Sequence, residues 1–168
     1  MTSAAARSKI STLDVLATRV ARARRAGKSI VFTNGCFDLL HIGHVRSLEE
    51  AARLGDRLVV AVNRDASVRR AKGRSRPVLP AAERIELVAS LGCVDWVVGF
   101  AADTPIRVIE KVRPDVLAKG GDWALDEIVG RQLVESWGGR VVRLRRVPGR
   151  RSTDLIELIR NEPARRKR

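Results

Sequence analysis

Thr33-Asn34-Gly35-Cys36-Phe37-Asp38-Leu39-Leu40-His41-Ile42-Gly43-His44 is the stretch whose reading decides the fold. It continues the β-branched, apolar run that starts at Ser29, so Ser29 to Asn34 reads as a strand. Gly35 to His41 reads as a turn, and Ile42 to about Leu54 as a helix closed by Gly55. Gly35 has no side chain to hold a ligand away from the backbone and tolerates unusual dihedrals. His41 and His44, the two histidines of the chain, are three positions apart at a helix start and project on the same side. Gly43 removes bulk between them, and the helix N-terminus adds unpaired N–H groups and partial positive charge, which suit an anion. Taken alone, the pair reads equally well as one capping and one packing histidine, or as a weak metal pair lacking further ligands. Its place after a strand and an Asn-Gly turn favours phosphate binding.

Outward from that stretch, short apolar runs alternate with helical patterns. A helix over residues 12–26 carries Leu13, Leu16, Val20 and Ala23 on one face and stops at Gly27. Arg57 to Val62 is an almost wholly apolar strand, which places it centrally, buried on both faces. Residues 63–79 form a short helix and a loop rich in Arg, Lys and Gly, and Pro80 opens a helix to about Leu91. Then come a strand at Val94 to Val98, a helix at Thr104 to Val112 and a strand at Val116 to Ala118. A helix near 125–137, a strand near 140–145 and a helix from Ser152 to about Arg160 complete the series. This is an α/β pattern: a doubly wound, five-stranded parallel sheet with helices on both faces, whose ligands bind beyond the carboxyl ends of the strands. Residues 1–10 are expected as a flexible arm, 11–161 as a single domain and 162–168 as a basic tail.

Composition narrows the class. The 168 residues are 45% hydrophobic and 31% charged, as in an ordinary globular chain, and two cysteines, Cys36 and Cys93, are too few for a disulfide framework. Residues 1–8 lack an apolar signal core, and no apolar run is long enough to span a bilayer, so a cytoplasmic location is expected and no membrane partner. The net charge of +14 invites a nucleic-acid reading. Against it, only six of the 33 basic residues are lysines, the arginines are spread along the chain, and tyrosine is absent. Much of the charge reads as solvated surface, and nucleic acid is not expected as a partner.

The 33–44 segment resembles the H-x-G-H nucleotidyltransferase superfamily, whose fold is Rossmann-like, and its cytidylyltransferase-like branch in particular. It is most similar to the heptose-1-phosphate adenylyltransferases, including the C-terminal half of bifunctional ADP-heptose synthases. The resemblance runs from about Leu13 to Ile159, and no sugar-kinase half is expected here. Three further segments carry it. Asn63 ends the second strand, and Lys72-Gly73 and Arg76-Pro77-Val78 follow in a basic loop that approaches the phosphates in the family. Lys72, flanked by Arg69, Arg70 and Arg74, also reads as plain surface charge. Glu83-Arg84 matches an arginine that family members hold near the active site; a helix-surface ion pair is the other reading. Lys119-Gly120-Gly121-Asp122 matches the heptose enzymes specifically and the glycerol-3-phosphate cytidylyltransferases less well.

The last segment, Pro148-Gly149-Arg150-Arg151-Ser152-Thr153-Asp154, departs from the family pattern. Arg151 stands where relatives carry the first hydroxyl of Ser-Thr-Thr. The resemblance implies transfer of AMP from ATP to a heptose 1-phosphate, with His41, His44 and Lys72 stabilising charge on the phosphoryl oxygens. It implies nucleotide contacts from Thr33, Asn34, Gly35, Phe37, Asp38, Gly43, Asn63, Arg84, Lys119, Gly120, Ser152 and Thr153. Gly121 and Asp122 fall to the sugar phosphate. Mg²⁺ would accompany the ATP on its phosphate oxygens, with no metal ligand among the side chains. The partners are then small molecules, a nucleoside triphosphate and a sugar phosphate, and a homodimer is left open. The alternatives are a glycerol-phosphate-type cytidylyltransferase using CTP and, from another class, a basic nucleic-acid-binding module.

Overall fold

The structure is a computed structural model and describes residues 3–121, 124–145 and 152–161, the last two without their side chains. The strands are β1 (Ile30–Gly35), β2 (Arg57–Asn63), β3 (Trp96–Phe100), β4 (Val116–Lys119) and β5 (Arg140–Arg143). The helices are α1 (Ala4–Lys9), α2 (Leu13–Arg25), α3 (Ile42–Ala52), α4 (Asp65–Lys72), α5 (Ala81–Ala89), α6 (Ile106–Val112), α7 (Arg131–Ser136) and α8 (Ser152–Asn161), with a 3₁₀ turn at Leu125–Glu127. The five strands pair in parallel in the order β3-β2-β1-β4-β5. This is the doubly wound α/β sheet expected from the sequence. Strand order reverses between β1 and β4, so the crevice for a ligand opens where those two strands end.

Alternation along the strands builds two cores. Val31, Val60, Val62 and Ala118 face Leu48 and Ala51 of α3 and Val88 and Ala89 of α5. Ile30, Phe32, Val59, Ala61, Val98 and Leu117 face Leu16 and Val20 of α2, Val108, Ile109 and Val112 of α6 and Val134 of α7. Neighbouring residues therefore serve opposite faces, as the period of two requires. At the amino ends of the strands three carboxylates take up backbone N–H groups: Asp115 from Ile30 (2.7 Å), Asp95 from Leu58 (2.9 Å) and Asp56 from Ser29 (3.0 Å). Among the described residues, no helix is long and apolar enough to cross a membrane.

Three boundaries differ from expectation. The N-terminal arm contains α1, capped by the Ser3 hydroxyl; Ala6 is buried, and Ile10 bridges to Val97 at the sheet edge. A six-residue helix is held by such tertiary contacts and leaves no apolar period to read. The strand expected from Val94 begins two residues later, because Asp95 is engaged in binding the Leu58 N–H and lies before the ladder. The helix expected over 125–137 is broken: Gly130 adopts φ +93°, separating the 3₁₀ turn from α7. A Cβ at Gly130 would lie 2.5 Å from Ile109 Cδ1. Gly130→Ala combines a forbidden dihedral with overpacking and should cost about 2–4 kcal/mol, read from the midpoint of urea denaturation; an unchanged midpoint would contradict this account of the break.

Candidate active site

The turn between β1 and α3 is strained and then locked. Phe37 (φ 48°) and Leu39 (φ 54°) sit in the left-handed region, at roughly 1–2 kcal/mol each for residues other than glycine. Asp38, between them, is buried and holds the turn against the segment before α5. Its carboxylate accepts from the Val78 N–H (2.9 Å), the Leu79 N–H (3.1 Å) and Arg76 Nε (2.7 Å). Burial alone would raise the Asp38 carboxyl; the two N–H groups and the guanidinium outweigh it and hold the group below the usual carboxylate range. Phe37 folds back over Gly35, where a Cβ would stand 3.2 Å from its ring, and turns edge-on to His44 with centroids 5.4 Å apart.

That turn delivers both histidines to the start of α3. His41 is the N-cap, and its Nδ1 accepts the Gly43 N–H at 3.1 Å, which assigns the proton of the neutral ring to Nε2. His44 stacks on His41 with centroids 3.9 Å apart, and its Nδ1 is buried without a hydrogen-bond partner. Burial chiefly, helped by the neighbouring His41 and Lys72 and opposed by Asp38, pushes the His44 imidazolium down to about 4. His44 is therefore a neutral ring near pH 7, in a site where a phosphate would supply the compensating charge and favour its protonation.

The opposite wall comes from β4, β5 and α8. Lys119 ends β4 and crosses the switch point to Asn34, donating to Asn34 Oδ1 (2.9 Å) and to its backbone carbonyl (3.3 Å). Burial lowers the Lys119 ammonium to about 8. The Glu50 carboxylate of α3 accepts the Arg145 N–H at 3.0 Å and so fixes the exit of β5.

Between the two walls lies an open cavity of about 550 Å³, a size suited to a nucleotide. Of the residues singled out in the sequence, Thr33, Asn34, Gly35, Phe37, His41, Gly43, His44, Asn63, Lys72, Lys119, Gly120, Gly121, Ser152 and Thr153 all line it. Cys36, Ser47, Asp103 and Arg145 also line it and were not foreseen as site residues. Cys36 is a half-buried thiol, and nothing but proximity in sequence to Gly35 could have flagged it. Asp103 and Arg145 follow the ends of β3 and β5, which is the one sequence signal they carry.

Two expected nucleotide contacts are corrected. Asp38 does not line the cavity, since its oxygens are taken by Arg76, Val78 and Leu79; it shapes the site from behind. Arg84 is likewise behind the wall and fully buried, so it is neither a ligand contact nor a helix-surface ion pair. Its Nη1 donates to the carbonyls of Cys36 and Asn63, its Nε to that of Leu79, and its Nη2 to the Asp65 carboxylate at 2.7 Å. Asp122, Trp123 and Arg151 lie outside the described residues.

Residues 32–161 match the cytidylyltransferase-like family, and the chain belongs to it. Similar curated proteins include the bifunctional protein HldE of Citrifermentans bemidjiense, 54% identical over 90% of this chain, and that of Geobacter sulfurreducens, 53% identical over 90%. The chain spans 31% of the length of each. Among solved structures, the lipopolysaccharide core biosynthesis protein of Thermoplasma volcanium GSS1 superposes with a TM-score of 0.63 at 32% identity, over 72% of this chain and 99% of that one.

Two outcomes follow from the buried groups. Arg84→Met strands the Asp65 carboxylate and three main-chain carbonyls and should cost about 3–5 kcal/mol in urea denaturation; a loss within experimental error would contradict the anchor. A histidine held neutral by the fold contributes stability that is present above its unfolded value near 6.5 and is lost as pH falls toward about 4. Ligand-free protein should therefore lose stability across that window, and His44→Gln should flatten that part of the profile; an unaltered slope would show that His44 is not so held.

Proposed function

We propose that this chain is an adenylyltransferase that moves AMP from ATP to a heptose 1-phosphate, giving ADP-heptose and pyrophosphate. The observation that carries the reading is the stacked His41–His44 pair at the N-terminus of α3, facing Lys119-Gly120-Gly121 across one cavity. The similarity to bifunctional HldE proteins over 90% of the chain supports the heptose assignment.

In this reading a phosphate oxygen of the sugar 1-phosphate attacks the α-phosphorus of ATP. The new P–O bond forms as the bond to the β-phosphate oxygen breaks, and pyrophosphate carries away the electron pair. No covalent enzyme intermediate is needed. The protein contributes by alignment and by donors aimed at oxygens that gain charge. His41 donates through Nε2, His44 receives a proton as the phosphates arrive, and Lys72 adds a cation on the same side. Ser152, Thr153 and the N–H groups opening α8 hold the β- and γ-phosphates. Mg²⁺ would accompany the triphosphate. The one carboxylate among the described residues lining the cavity, Asp103, is already paired with Arg70, so the ion would rest on phosphate oxygens and water.

A panel of nucleoside triphosphates against sugar and polyol phosphates, read by pyrophosphate release, tests the proposal. ATP with a heptose 1-phosphate should be the productive pair; CTP with glycerol 3-phosphate as the best pair would replace it with the cytidylyltransferase reading. Loss of the His44 donor in His44→Ala should lower kcat by about 100- to 1,000-fold, and near-normal turnover in the folded variant would sink the assignment.

A further inference from the structure

Lys72, Lys119 and Arg145 line the cavity and suit anions; one lining group does not. Asp103 is the single carboxylate among the described residues that line it, set just after β3, beside α4 and on the far side of the sheet from Lys119 and Arg145. A carboxylate repels phosphates and accepts hydrogen bonds, so in this cavity it suits a ligand group that donates.

Its position is enforced by the chain. Arg70 Nε binds Asp103 Oδ1 at 2.6 Å, and Arg70 Nη2 holds the Ala101 carbonyl at 2.8 Å. The buried Ser67 hydroxyl donates to the Ala102 carbonyl at 3.0 Å and accepts from Asn63 Nδ2 at 2.9 Å. Consecutive residues 101–103 are therefore each tied to α4, although the Asp103 side chain is 70% exposed. The pair with Arg70 neutralises the carboxylate, which weakens it as a ligand for a divalent cation. Its capacity to accept from a hydroxyl remains, because a carboxylate has lone pairs left after one such bond.

Resting on the adenylyltransferase reading above, we infer that Asp103 is a specificity-determining residue that accepts hydrogen bonds from the hydroxyls of the acceptor sugar, with Arg70 as its positioning residue. The cations and the helix start on the β4–β5 side claim the triphosphate. The β2–β3 side, where Asn63 and Asp103 stand, is left for the polyhydroxylated part of the acceptor, with Lys72 close by for its phosphate. Selection among sugar phosphates then rests on a hydrogen bond to this cavity-edge acceptor that a less hydroxylated substrate does not make.

Steady-state pyrophosphate release with wild type, Asp103→Asn and Arg70→Gln, each with its thermal midpoint recorded, tests this. Asp103→Asn should raise KM for the heptose 1-phosphate by about 10- to 100-fold while KM for ATP stays within about twofold. With a deoxy-sugar 1-phosphate lacking the bound hydroxyl, wild type and Asp103→Asn should converge. Arg70→Gln should give an intermediate rise in acceptor KM. Three results overturn the inference: a rise confined to KM for ATP, which assigns Asp103 to the ribose; a shifted Mg²⁺ activation curve, which makes it a metal ligand; or lower KM for both substrates, which makes it a repelling charge only. A wild-type protein inactive with every sugar 1-phosphate would instead overturn the functional reading itself.

Discussion

The Arg84 guanidinium, fully buried, is the interaction on which the site depends. One cation closes on the exits of β1 and β2 through the carbonyls of Cys36 and Asn63, on the segment before α5 through Leu79, and on α4 through Asp65. A buried charge is tolerable only when its donors are satisfied, and here the acceptors are the backbone ends that must be held in register for a cavity to exist. Asp38 repeats the device from the other side, joining the strained Phe37–Leu39 turn to Val78 and Leu79. Opposite charges thus pin the two loops to each other without entering the cavity.

Those anchors leave the cavity lining to Lys72, Lys119, Arg145, Asp103 and the histidine pair. His44 is held neutral by burial beside His41 and Lys72, and Lys119 is kept near the limit of its charged state, down at about 8, while bound to Asn34. A bound anion would add to the positive character that Lys72, Lys119 and Arg145 already give the site. In the proposed reaction, protonation of His44 then becomes favourable, and the response is strongest for the state with most negative charge on the phosphoryl oxygens. Donor geometry is fixed beforehand, since the Gly43 N–H sets the tautomer of His41 and the stack sets the plane of His44.

Much of this was legible in the sequence, and the parts that were not share a cause. β-Branched runs such as Arg57 to Val62 mark strands because burial on both faces leaves little room for polar residues. His41, His44, Lys119 and Ser152 are readable because each falls at the carboxyl end of a strand or the start of a helix, where the fold places its chemistry. Arg84 and Asp38 looked like site residues and proved to be anchors: their bonds to Cys36 and to Val78 join positions 48 and 40 residues apart, which no local period encodes. α1 was hidden because tertiary contacts rather than its own pattern hold it. The break at Gly130 was hidden because a glycine inside a helical period gives no sign of its dihedral until Ile109 packs against it. Asp103 carries no sequence signal beyond its place after β3, and only the cavity makes it exceptional.

The central claim is that the histidine pair meets the nucleotide's phosphates, and two histidines in the whole chain make it directly observable. Long-range ¹H–¹⁵N correlation spectra of histidine-labelled protein, recorded across pH with and without Mg²⁺ and a non-hydrolysable ATP analogue, report the tautomer and charge of both rings. The account predicts Nε2-protonated His41 in the free protein, and a His44 titration that moves upward from about 4 when the nucleotide binds. Saturating nucleotide that leaves the nitrogen shifts and titrations of both rings unchanged would contradict it.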